Sequence, residues 1–221
     1  MKIASFATTI AVLAIGASAQ AVNIATWSFE VNTPADLSNS TSISGILADT
    51  GVGTASGFHA SNTTDWTTPA GNGSTNSLSS NGWAIGDYYQ FEVSLTGFQN
   101  GTITWDQNRS STGPSDFKVS VSTDGTNFTD LFNYVVPQVT WTATTPVPST
   151  FGPQSLGVAT NNASTVFVRL VATSNPTGTT PLNGTNRVDN IIVDAEAIPE
   201  PATMMVLGLG LAAAAARRKR K

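Results

Sequence analysis

Apolar and polar residues alternate with period two through most of the chain, and that rhythm restricts it to strands with one face buried. Tyr89, Phe91, Val93 and Leu95 point one way, and Tyr88, Gln90, Glu92 and Ser94 the other. Ile103, Trp105 and Gln107 oppose Thr102, Thr104 and Asp106 in the same manner. Phe117, Val119 and Val121 oppose Lys118, Ser120 and Ser122, and Val166, Val168 and Leu170 oppose Phe167, Arg169 and Val171. A first strand is expected around Ile24 to Val31 and a last around Arg187 to Val193. Asn100-Gly101 and Asp124-Gly125 can take the positive φ angles of tight turns. Prolines from Pro137 to Pro153, with Pro176 and Pro181, mark long surface loops. No stretch carries a sustained helical stripe, so the expectation is an all-β fold, a single β-sandwich over residues 22–197.

Both ends stand apart from that body. Residues 1–21 read MKIASFATTIAVLAIGASAQA, with Lys2 before an apolar centre from Ile10 to Ile15 and small residues at Ala17-Ser18-Ala19 or Ala19-Gln20-Ala21. This is the grammar of a secretory signal peptide, and the apolar run is shorter than the roughly 20 residues a span needs. Removing both ends changes the charge. The body keeps only Arg109, Lys118, Arg169 and Arg187 against fourteen acids, a net charge of −10, although the whole chain carries −4. A body this acidic is a poor partner for nucleic acid, whose phosphates call for lysine and arginine. There are no cysteines, which excludes disulfide staples and thiol catalysis.

Residues 198–221 read IPEPATMMVLGLGLAAAAARRKRK. The fifteen residues from Ala202 to Ala216 carry no charge, and as a helix they would span about 22 Å. That is short for a bilayer core of about 30 Å but workable if flanking cations reach the interface. Pro201 suits a helix start. Arg217, Arg218, Lys219, Arg220 and Lys221 would each cost about 3 kcal/mol at mid-membrane. They therefore form a basic stop-transfer that keeps the end in the cytoplasm and the body outside. Pro199, Glu200 and Pro201, a short apolar helix and an arginine-rich end together resemble a PEP-CTERM sorting signal of Gram-negative bacteria. The resemblance implies recognition by an exosortase, with those three residues as substrate. It also implies transient anchoring in the inner membrane and passage to the cell surface or an extracellular polysaccharide matrix.

Few residues in the body suit chemistry. His59 is the only histidine, so a histidine-built metal site is excluded, and no Gly-x-Ser-x-Gly elbow supports a serine triad around it. Glu92, Asp106 and Asp116 are the carboxylates from which a glycoside hydrolase pair would be drawn, although on polar strand faces they equally serve solubility. Trp27-Ser28-Phe29-Glu30 and Arg187-Val188-Asp189-Asn190 resemble the opening and closing strands of jelly-roll carbohydrate-binding modules. That resemblance implies a jelly-roll-like topology and a structural calcium with Glu30 and Asp189 as oxygen ligands. The plain alternative is that Glu30 ends a strand in solvent and Arg187 pairs with Asp189. Sugar binding needs exposed rings; Trp66 and Trp141 sit in loop-like contexts and are the stacking candidates, with Trp83 third, while Trp27 and Trp105 belong to the core.

Three readings follow. The first is a secreted, non-enzymatic surface or exopolysaccharide-associated protein acting by adhesion or glycan contact. The second is an envelope glycoside hydrolase, and the third a purely structural surface protein.

Overall fold

The computed structural model describes residues 20–177 and 184–199. Residues 1–19 of the expected signal peptide, Pro181 of the expected loops, Glu200, Pro201, the apolar run and the basic end lie outside them. Among the described residues no helix is long and apolar enough to cross a membrane.

The chain is all-β. In order, the strands are β1 Ala21–Trp27, β2 Ser42–Leu47, β3 Thr50–Gly51, β4 Gly53–Phe58, β5 Trp66–Thr67, β6 Leu78–Ser80 and β7 Tyr88–Val93. Then come β8 Phe98–Arg109, β9 Asp116–Ser122, β10 Thr129–Val135, β11 Thr150–Ser155, β12 Val166–Ala172 and β13 Asn186–Ala197. They form two antiparallel sheets. One runs β11-β8-β13-β1-β3, and β13 also pairs with β6, which pairs with β5. The other runs β10-β9-β12-β7-β4-β2.

The alternation buries the faces it marked. Tyr89, Phe91 and Val93 in β7 and Val166, Val168 and Leu170 in β12 face Trp27, Ile103, Trp105, Val188, Ile191 and Val193 of the first sheet. Each such side chain removed from water contributes roughly 1.5–3 kcal/mol. Pro153 is tolerated because β11 is an edge strand that pairs only with β8.

Local readings differ in three places, the first being Pro153, which was expected in a surface loop and lies in the edge strand β11. Asn100-Gly101 is not a turn between strands. It lies inside β8, where Asn100 takes φ 54° next to a register shift, so the pair makes a bulge. The first strand ends at Trp27, not Val31, because Phe29 takes φ 58° and turns the chain. Asp49 holds this turn. One carboxylate oxygen accepts from the backbone N–H groups of Ser28 and Glu30 and from Ser28 Oγ, and the other from Asn32 N.

Candidate functional site

Asp106 and Asp189 are direct register partners on β8 and β13. Their neighbours Trp105, Gln107 and Val188 point into the core, so both aspartates point out of the sandwich. They are nonetheless buried, at 5% and 0% exposure. The segment from Pro69 to Ser77 and the one around Val147 to Thr150 cover them. Asn72 Nδ2 donates to Asp106 at 3.0 Å and to Val147 O at 3.1 Å. Asn72 N and Ser74 Oγ donate to Asp189 at 2.9 and 2.6 Å, and Asn190 Nδ2 lies between the two carboxylates. The solvent-facing, solubilising role expected of Asp106 is therefore replaced by a buried one, since loops from two directions close over this face.

Glu30 reaches the same loop from β1's end, its Oε1 accepting from Asn76 N at 2.6 Å. Ser74 Oγ, Asp189 Oδ2 and Asn76 O crowd the place where a side chain on Gly71 would stand. A donor set of carboxylate, hydroxyl and carbonyl oxygens suits calcium chemically. Burial, aided by the charge of Asp106, pushes the Asp189 carboxyl up to about 6 despite its hydrogen bonds. Among the described residues no group of three or more acidic or histidine side chains gathers at one point, so such a site would rest on two acids and neutral oxygens. Arg187 makes no ion pair with Asp189; its Nη1 donates to Ala70 O at 3.4 Å.

The carboxylates considered for glycoside hydrolysis do not share a cleft. Glu92 faces out of the second sheet and Asp106 out of the first, on opposite sides of the core. Asp116 opens β9 at the surface and accepts from Ser115 Oγ.

His59 does meet a serine and an acid. Its Nε2 lies 3.2 Å from Ser80 Oγ, and its Nδ1 lies 3.3 Å from Thr64 Oγ1 and 3.5 Å from Asp87 Oδ2. The arrangement is sealed. His59, Ser80 and Asp87 are at most 1% exposed, and the imidazole packs 4.7 Å from the Trp66 ring and 4.2 Å from Trp83. Ser80 Oγ also meets Tyr89 OH, which donates to Asn186 O. Desolvation lowers the His59 pKa to about 4, so at neutral pH it is an uncharged hydrogen-bonding plug between two indoles.

The tryptophans chosen for stacking are covered. Trp66 is 0% exposed in β5, with Nε1 donating to Ser40 O, and Trp141 is 4% exposed, with Nε1 donating to Ser149 Oγ. Trp83, 4% exposed, donates to Ser80 O. None offers an open ring face: Trp66 packs against Gly57, His59 and Tyr89, Trp83 against His59, Tyr89 and Phe117, and Trp141 is itself buried.

Open rings lie instead on the solvent face of the second sheet. Phe58, 43% exposed at the end of β4, lies 5.9 Å from the Tyr88 ring on β7. The Arg169 guanidinium on β12 stacks 3.9 Å from the Tyr88 centroid and 3.8 Å from that of Phe128, while its Nε donates to Gln90 Oε1. Phe58, Tyr88, Arg169 and Phe128 thus form a contiguous stack across the strands, in which the guanidinium covers one face each of the half-buried Tyr88 and Phe128 and Phe58 is the exposed member. Gln90 and Glu92 stand on the same face. The period-two pattern already turned Tyr88, Arg169 and Phe167 outward; Phe58 and Phe128, at strand ends, gave no such signal.

Residues 197–221 match the PEP-CTERM protein-sorting motif. No curated protein sequence matches the chain. Among solved structures it is similar to the CBM22-1–GH10 modules of Clostridium thermocellum endo-1,4-β-D-xylanase 10B, complexed with xylohexaose. That likeness has 13% identity and a TM-score of 0.45, over 80% of this chain and 29% of the other. The tandem CBM22 domains of Paenibacillus barcinonensis Xyn10C give 11% identity and a TM-score of 0.44, over 77% and 49%. The K1 cleaved adhesin domain of Lys-gingipain from Porphyromonas gingivalis W83 gives 13% and 0.39, over 81% and 99%. The chain therefore spans less than half of either xylanase structure.

Proposed function

We propose that the protein is an exported, non-enzymatic surface protein that contacts glycan through the row on its second sheet. The sorting motif at residues 197–221 supports delivery: an exosortase is the partner, the apolar run holds the chain in the inner membrane, and the body passes outward to the envelope or its polysaccharide. The observation that carries the glycan reading is the row of Phe58, Tyr88, Arg169 and Phe128. The exposed Phe58 ring, with Tyr88 beside it, takes the apolar side of a sugar ring, while the amide of Gln90 and the carboxylate of Glu92 serve its hydroxyls. Against catalysis stand the separation of Glu92 from Asp106 and the burial of His59. Calcium held by Glu30 and Asp189, with Ser74 Oγ and Asn76 O, belongs to the same reading as a structural ion.

Affinity electrophoresis tests it. The full chain should be retarded in gels containing the extracellular polysaccharide of the producing cells, and Phe58→Ala with Tyr88→Ala should weaken retention by roughly 10–100-fold, at about 1 kcal/mol or more per lost ring contact. Unchanged retention in the double variant removes this face as the site. Absence of retention leaves a purely structural surface protein.

A further inference from the structure

The body has four cations, and two of them line one pocket. Lys118 is paired with Asp130, and Arg169 is stacked between rings. Arg109 and Arg187 instead border a cavity of about 290 Å³ on the outer side of the first sheet, with Asn108, Gln138, Thr140 and Trp141. The placement follows from register: Arg187 is the partner of Asn108 across β13 and β8, one alternation along from the Asp106–Asp189 pair.

Neither arginine spends its charge on a carboxylate among the described residues. Arg109 donates through Nε to Val136 O and through Nη1 to Ser110 O and Ser111 O, which leaves Nη2. Arg187 makes only its 3.4 Å contact with Ala70 O. The nearby aspartates do not use these groups; they are turned to Asn72, Ser74, Asn190 and Thr150.

A second feature of the same pocket is an orphan. Asn108 is 4% exposed, and its Oδ1 is the one buried side-chain polar atom without a partner among the described residues. Its orientation is fixed, because Nδ2 donates to Val139 O at 3.0 Å and a flipped amide would set two oxygens together. The oxygen itself has no open surface, so it belongs to the wall of the pocket and makes no ligand contact.

A nearly unspent Arg187 guanidinium, with the Nη2 that Arg109 has left on the same cavity, calls for an anion. We infer that this pocket is a subsite for a uronic acid residue of an acidic polysaccharide, its carboxylate taken by Arg187 and by the remaining Nη2 of Arg109. The guanidinium fork matches a carboxylate's two oxygens. In a body of net charge −10 a polyanion is repelled everywhere else, so the pocket sets where it docks as well as whether it binds. This rests on the glycan reading above but names a different face and a charged sugar.

The test uses the full chain in mild detergent without added divalent cations, run in gels containing polygalacturonate, its fully methyl-esterified form, or neutral xylan. The expected result is salt-sensitive retardation by the free acid and little by the ester. Arg187→Gln and Gln138→Glu should each weaken binding of the free acid roughly tenfold, the loss of one charge-assisted contact. Gln138 is exposed, so its variant probes charge without disturbing the core should Arg187→Gln fold poorly. Both variants keep the basic tail. Retention on the free acid that neither variant changes therefore marks binding through the tail and overturns the subsite. Equal retention on acid and ester also overturns it. In either case retention on xylan that depends on Phe58 and Tyr88 leaves the glycan reading standing, whereas no retention on any polymer overturns both.

Discussion

Phe29 is a bulky residue held at φ 58° with its ring fully buried, and a single carboxylate makes that backbone tenable. Positive φ costs a residue of this kind about 1–3 kcal/mol, offset by the four bonds that Asp49 accepts across Ser28 to Asn32. Burial works to raise the Asp49 pKa, yet these bonds together hold it below the ordinary carboxylate value. Asp49→Ala should lower stability by about 2–4 kcal/mol, read as a fall in Tm; an unchanged Tm would show that the turn holds itself. His59 makes a pH prediction. Its folded pKa of about 4 lies below the ordinary 6.5, so it favours the fold fully above pH 6.5 and loses that contribution as pH falls toward 4. The shift is worth about 3 kcal/mol. Burial raises the neighbouring Asp87 pKa, which acts with the opposite sign, so the comparison must be made between wild type and His59→Gln. The variant should be less stable at pH 7 and lose less between pH 6.5 and 4. Parallel Tm–pH curves would refute the assignment.

At the scale of elements, β4 and β5 show what the alternation could and could not convey. Trp66 lies against the backbone of Gly57, where any side chain would strike its ring. Gly57→Ala should therefore destabilise the protein by about 1–3 kcal/mol through overpacking, seen as a lowered denaturant midpoint; a neutral result would mean that β5 shifts freely. The strands β7, β9 and β12 were legible because one face of each is apolar without interruption, and the sandwich follows from them. Trp66 was not, because a two-residue strand has no periodicity and its Thr and Asp neighbours look like a loop. Asp106 was misjudged in burial for a related reason: alternation tells which way a side chain points, not whether a distant loop closes over it. The second sheet's row was half legible. Tyr88 and Arg169 fell on the outward register, but only tertiary structure brings Phe58 and Phe128 beside them.

Across the whole molecule the first and last described strands meet, with β1 paired to β13 and Glu30 and Asp189 drawn to one loop. An ion there would tie both ends of the domain together. With only two acids its affinity belongs near the millimolar range of extracellular calcium modules. Adding about 5 mM calcium after a chelator wash should raise Tm by several degrees, since binding to the folded form alone stabilises by mass action; Asp189→Asn should abolish the rise, and indifference to calcium removes both residues as ligands. Sorting is testable apart from this. Replacing Pro199, Glu200 and Pro201 by alanine should leave full-length chain in the membrane fraction, whereas normal release would reject exosortase processing. The stacked row and the arginine pocket stand on opposite outer faces of the sandwich. If both faces bind as proposed, one monomer has a valency of two: it would rivet a neutral strand to an acidic one and stiffen a gel without assembling with a second copy of itself.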